Sequence, residues 1–150
     1  MNTKTMRTEK RLVLGLVQAA HALEGRVEEA FAGTGLSLAR YGVLEQLARA
    51  GEPLPLGELA ERLRCVRSNV TQLVDRLEAE GLVRRVADPS DRRYVRAELT
   101  AEGRARQRAG EERLRGVEAA FEASLSAPDR EALERLFAIL GPGRRDRTTE

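Results

Sequence analysis

Two short amphipathic segments lie close together near the middle of the chain, and the change of apolar period just beyond them fixes the reading of both. LGELAERL places Leu56, Leu59, Ala60 and Leu63 on one side of a two-turn helix. After the turn Arg64-Cys65-Val66, a second helix is expected from about Arg67 to Glu80, burying Val70, Leu73, Val74 and Leu77. Gly81 suits the left-handed residue that stops it. The apolar period then changes from helical to alternating: LVRRV and YVRAEL are β-prone, with Val95, Ala97 and Leu99 inward against Arg96 and Glu98 outward. ADPSDRR joins them as a turn. The stretch from Leu56 to Thr100 therefore reads as a helix-turn-helix followed by a two-stranded wing with a charged, mobile tip.

The flanking segments are helical. Leu12, Leu16, Ala19, Leu23, Val27 and Ala30 form one stripe on a helix from about Glu9 to Phe31, which Gly33 and Gly35 end. Ser37 is the N-cap of a second helix that buries Tyr41, Leu44, Leu47 and Ala48 and stops at Gly51. In GEPLPL, Pro53 and Pro55 exclude helix and permit only a short extended edge piece. Beyond the wing, Thr100 caps a long helix reaching about Leu125, with Leu114, Val117, Phe121 and Leu125 apolar in its second half. Ser126 and Asp129 form a capping-box-like start for a last helix that buries Leu133, Leu136, Phe137 and Leu140, and GRRDRTTE reads as a disordered tail. The expected fold is mainly α with a small β wing. Residues 9–35 and 101–140 would be dimerisation helices, residues 36–100 the winged helix-turn-helix lobe, and residues 141–150 the tail, all in one domain.

A net charge of +2 says little about partners, but its placement says more. Between Arg62 and Arg96 nine arginines face five acids, whereas the rest of the chain holds 17 bases and 19 acids, so the positive excess sits in the helix-turn-helix and wing. With 3% aromatic residues and no Trp, stacking platforms for single-stranded nucleic acid are not expected. One His and one Cys supply neither a metal-ligand cluster nor a nucleophile with its base, which argues against an enzyme, a metal centre or a cofactor. No apolar run is long enough for a membrane span, and the N-terminal MNTKTMRTEKR leads into an amphipathic pattern, so a cytoplasmic protein is expected.

LAERL, SNVTQLVDRLEAEGLVRR, DPSDRR and LTAEGR, in that order and spacing, resemble the helix-turn-helix, wing and strand-to-helix junction of the MarR (multiple antibiotic resistance regulator) family of winged-helix repressors. The resemblance covers roughly residues 9 to 140. It implies a homodimer in which helices from both termini interlock, bound to double-stranded DNA at a palindromic operator and released by a small phenolic or other aromatic effector. The apolar stripes of the terminal helices exceed what one small lobe requires, which agrees with an oligomer.

In a helix-turn-helix the start of the second helix lies nearest the base edges. Arg67, Ser68, Asn69, Thr71 and Gln72 stand there, with Arg76 further along toward phosphate. Arg forks onto guanine, Asn and Gln onto adenine, and Thr meets a thymine methyl. Without the wing beside it, that face would read as an ordinary solvated helix surface. In the wing, Asp91 and Arg93 match the acid and base of the family motif, which implies that Arg93 enters the minor groove and Asp91 orients it; Arg92 could exchange roles with Arg93. The alternative is that DPSDRR is only a charged hairpin turn with no DNA role.

The turn departs from the family, which commonly has Gly, an apolar residue and Ser where Arg64, Cys65 and Val66 stand. The second helix then lacks a side-chain N-cap unless Ser68 supplies it, and Cys65 takes a slot expected to be packed. Cys65 admits two accounts: a packed side chain, or a thiol switch whose oxidation pushes the two helices apart. The family's peroxide sensors carry their cysteine near the N-terminus, unlike this chain. His21, Arg26 and Tyr41 are candidate lining groups for the effector, although Tyr41 could be core. A nonspecific architectural DNA binder and a protein-interaction module remain as other function classes.

Overall fold

The computed structural model of the chain describes residues 11–141. Its elements run α1 (Leu12–Ala30), α2 (Leu38–Ala50), β1 (Leu54–Pro55), α3 (Leu56–Leu63), α4 (Arg67–Ala79), β2 (Val83–Ala87), β3 (Val95–Leu99), α5 (Ala101–Ala123) and α6 (Ala127–Leu140). The expected start at Glu9 and the expected tail beyond Gly141 lie outside the described residues. There are two compact units, one ending at Leu114 and the other starting at Arg115.

In the first unit, local signals set the helix ends. Ser37 Oγ accepts from Arg40 N at 3.2 Å, satisfying one of the free amides at the start of α2. Gly51 closes that helix at φ +67°. Gly81, at φ +73°, ends α4 with Leu82 N donating to Leu77 O and Gly81 N to Glu78 O, both at 2.9 Å, the paired bonds of a Schellman turn. Thr100 caps α5: its Oγ1 accepts from Gly103 N at 2.9 Å and donates to Gly81 O at 2.7 Å, while its N–H donates to Leu82 O. One threonine thus ties the exit of α4 to the entry of α5.

The expected two-stranded wing belongs to a three-stranded antiparallel sheet of order β1-β3-β2. Leu54 pairs with Ala97 and Pro55 with Arg96, so the extended piece of GEPLPL forms an edge strand, where a proline without N–H is tolerated. Ala97 and Leu99 point inward as expected, but Val95 is exposed: its partner across the ladder is Ala87, at the far end of the wing, beyond the reach of the core.

The core gathers Phe31 from the end of α1, Val43 and Leu44 from α2, Leu54, Leu59 from α3, Val70, Val74 and Leu77 from α4, and Leu82 and Val83 leading into β2, all essentially without solvent contact. Each such Leu or Val contributes up to about 1.5–3 kcal/mol by leaving water, which anchors α4 and leaves its other face free. Leu73 and Leu63 are only half-buried.

α1 is covered only toward its C-terminal end. Val27 is buried and Leu23 and Ala30 are half-buried, but Leu12, Leu16 and Ala19 are exposed together with Val13, Leu14 and Val17. In the second unit Ser126 and Asp129 form the capping box, with Asp129 N donating to Ser126 Oγ and Ser126 N to Asp129 Oδ2. Yet α6 buries none of its residues: Leu133 is half-buried and Leu136, Phe137 and Leu140 are exposed. Two helical segments cannot enclose a core by themselves, so a cleft of 420 Å³ lined by Phe121, Leu125, Leu133 and Phe137 remains open.

Candidate nucleic-acid interface

The turn that presents α4 is unusual. Arg64 N donates to Glu61 O and Cys65 N to Ala60 O, which makes a Schellman turn with Arg64 at φ +53° in the position glycine favours. It is the one non-glycine residue of positive φ among the described residues. A side chain in that conformation crowds the following carbonyl, so Arg64→Gly should raise stability by about 0.5–1 kcal/mol. A higher urea midpoint at unchanged slope is the expected reading, and a lower midpoint would show that the side chain contributes more than the strain costs.

Val66 occupies the N-cap of α4 with no side-chain cap, and Ser68 does not replace it. Cys65 is exposed, which overturns the packed reading. The wedge reading loses its footing too, because an exposed sulfur in the turn does not separate α3 from α4 when oxidised.

Arg67, Ser68, Asn69, Gln72 and Arg76 are exposed along α4, opposite Val70, Val74 and Leu77. Thr71 is half-buried, and its Oγ1 donates to Arg67 O at 3.0 Å, so its hydroxyl proton is committed while its methyl and an oxygen lone pair remain for a base. Of the nine arginines between Arg62 and Arg96, Arg62, Arg84, Arg85, Arg93 and Arg96 each have a carboxylate partner. Arg64, Arg67, Arg76 and Arg92 have none among the described residues. The uncompensated charge therefore lies on the turn, along α4 and at the wing tip, where phosphates would neutralise it.

The wing tip is tied down rather than free. Asp88 is buried and accepts Ser90 N at 2.7 Å and Asp91 N at 3.2 Å on Oδ1, and Arg96 Nε at 2.5 Å on Oδ2. Asp91 in turn accepts Arg93 N and Nε at 3.0 Å on Oδ1, and Nη2 at 2.7 Å on Oδ2. The Arg93 guanidinium holds the Asp91 carboxyl below the usual carboxylate range. Asp91 and Arg93 thus form a forked ion pair, whereas Arg92 has no carboxylate partner among the described residues. Asp88 was legible only as one charge among many. At the base of the wing, Arg85 donates from its backbone N to Glu78 Oε2 at 2.8 Å, and its guanidinium reaches both Glu78 and Asp75, joining β2 to α4.

The three effector candidates differ in their surroundings. His21 and Arg26 are exposed on α1, while Tyr41 is core. The Tyr41 ring packs 5.3 Å from that of Phe31, and its hydroxyl donates to Glu45 Oε2, which also accepts Gln107 Nε2 at 2.9 Å. Burial first, and the Glu45 charge second, push the Tyr41 hydroxyl up to about 12, so it stays a neutral donor. A cleft that the sequence did not reveal, of 540 Å³, lies among Gly33, Thr34, Gly35, Arg106 and Ala109. Arg106 Nη1 donates there to Thr34 O at 2.9 Å. No cluster of side chains suited to a metal occurs among the described residues, and none of their helices is long and apolar enough to cross a membrane.

Known proteins share this architecture. Residues 34–93 match the sequence profile of the MarR family. The HTH-type transcriptional repressor YetL of Bacillus subtilis is 35% identical over 96 residues, which span 63% of this chain and 58% of YetL, less than two thirds of its length. The HTH-type transcriptional regulator MhqR of the same organism is 32% identical over 98 residues, 64% of this chain and 67% of MhqR. The crystal structure of CouR from Rhodococcus jostii, bound to p-coumaroyl-CoA, superposes with a TM-score of 0.76 at 27% identity, covering 89% of this chain and 94% of CouR.

Proposed function

The chain belongs to the MarR family, and from that premise we propose that it is a homodimeric, sequence-specific DNA-binding transcriptional regulator. We read it as a repressor that binds a palindromic operator and lets go when a small aromatic molecule binds. One observation supports this most: the exposed hydrogen-bonding face of α4 and the forked Arg93–Asp91 pair flank the arginines that lack carboxylate partners. In this reading Arg67, Ser68, Asn69, Thr71 and Gln72 address bases, Arg76 and Arg92 phosphates, and Arg93 the minor groove. With a two-fold dimer, half-sites would recur about 34–36 Å apart. Residues 9–35 and 101–140 would form the dimer, and residues 36–100 the DNA-binding lobe.

YetL's description as a repressor supports that sign of control, and CouR's ligand supports an aromatic effector. With Tyr41 committed to the core, Arg106 beside the Gly33–Gly35 cleft is the cation better placed to meet an acidic effector.

The test is selection from a random duplex pool, with and without aromatic acids and acyl thioesters, then binding of the recovered duplex over a salt series. Arg93→Ala should weaken binding to every duplex and reduce the salt slope by about 1. Gln72→Ala or Asn69→Ala should cost about 1–3 kcal/mol at particular base pairs and leave others unaffected. Equal losses from all three on every sequence would sink this division of labour. No preference over random duplex would leave a nonspecific architectural binder instead.

A further inference from the structure

Asp88 is one of two buried polar residues among the described residues, and both of its carboxylate oxygens are engaged. Its position is not explained by contact with DNA, since it is covered while its neighbours at the tip are exposed. Oδ1 fixes the backbone of Ser90 and Asp91. Oδ2 is held by Arg96 Nε, and Arg96 Nη1 reaches Pro53 O at 3.4 Å, 43 residues earlier in the chain. Asp88 N donates to Tyr94 O and Tyr94 N to Asp91 O, both at 3.0 Å, which closes the loop on itself. Arg93 is therefore held by Asp91, Asp91 by Asp88, Asp88 by Arg96, and Arg96 by the segment leading into β1 and α3.

A guanidinium aimed at a narrow groove loses less side-chain entropy on binding when its base is already fixed, and its direction is set by whatever fixes it. We propose that Asp88 and Arg96 are positioning residues for the wing: acting through Asp91, they set where the Arg93 guanidinium projects, without touching DNA themselves. The Arg96 guanidinium, with the Ser90 amide next, holds the Asp88 carboxyl below the usual carboxylate range, so the pair is intact at neutral pH. The proposal rests on the DNA-binding reading above.

A double-mutant cycle separates positioning from simple stabilisation of the turn. Asp88→Asn keeps an oxygen for the Ser90 and Asp91 amides while removing the charge that Arg96 grips, and Arg96→Gln breaks the same link from the other side. Each is measured alone and combined with Arg93→Ala, by fluorescence anisotropy on the duplex recovered from the random pool, together with a thermal melt. Each single change should weaken binding roughly fivefold in the parent protein and change nothing further once Arg93 is alanine. Arg96→Lys, which preserves the charge, should recover part of the loss. Full additivity with Arg93→Ala, or no loss from either single change, would overturn the proposal while leaving the DNA-binding reading intact. An Arg93→Ala protein that binds like the parent would overturn the minor-groove reading and this proposal with it. Should Asp88→Asn fail to fold, the Arg96 variants carry the cycle alone.

Discussion

Gly103→Ala should be among the most damaging single changes in the first unit, costing about 3 kcal/mol and lowering the melting temperature by roughly 6–12 °C. The reason is local and steric. A Cβ at position 103 would stand 1.9 Å from Leu82 O and 2.9 Å from Leu82 C, and that carbonyl already accepts Thr100 N. Neither the turn after α4 nor the start of α5 can retreat, because Thr100 bonds both. Two other glycines set the scale. At Gly110 a Cβ would meet the Tyr41 ring at 2.7 Å and Leu36 Cδ1 at 2.9 Å, side chains that can shift in part, so Gly110→Ala should cost less. At Gly57 nothing lies within 4 Å, and alanine there should be neutral or better. Thermal melts of the three variants check the ranking, and a Gly103→Ala protein melting within a degree or two of the parent would contradict the packing described at this junction.

Phe137→Asp should convert the proposed dimer to monomer and cost roughly 100-fold in operator affinity, because each lobe would then bind its half-site alone. Phe137 is 64% exposed, so a carboxylate there should cost the isolated chain little. Leu16→Asp on α1, where Leu16 is 45% exposed, should act in the same direction. Apolar side chains this accessible on two terminal helices are what an obligate interface leaves uncovered when one copy is viewed alone. Sedimentation velocity and anisotropy on the recovered duplex read the two consequences together. If both variants remained dimeric, these helix faces would not form the interface.

What could be read in the sequence was local. Ser37, Gly51, Gly81, Thr100 and the Ser126–Asp129 box sit within a few residues of the groups they satisfy, so residue type and spacing suffice to place them. The exposed polar face of α4 was legible because Val70, Val74 and Leu77 define its back. What escaped depends on partners far along the chain: Arg96 on Pro53, Gln107 on Glu45 across 62 residues, Leu54 against Ala97. Periodicity shows which face is apolar but not what covers it, hence the misplaced burial of Leu136, Phe137 and Leu140 and of Val95. Cys65 failed for another reason. The Arg64-centred turn aims its side chain outward, and a backbone at positive φ on an arginine carries no reliable mark in the sequence.

In the proposed binding mode the Arg85 clamp would bear on DNA choice. With Glu78 and Asp75 both held by Arg85 of β2, α4 and the hairpin, which the proposed binding mode sets in neighbouring grooves, would behave as a caliper of fixed opening. A duplex gripped by both jaws must bring its grooves to that gauge, by bending or by a change of twist, and the elastic work of doing so depends on base steps that no side chain contacts. Part of the operator would then be chosen by stiffness, and base pairs lying between the two points of grip should matter as much as those beneath them.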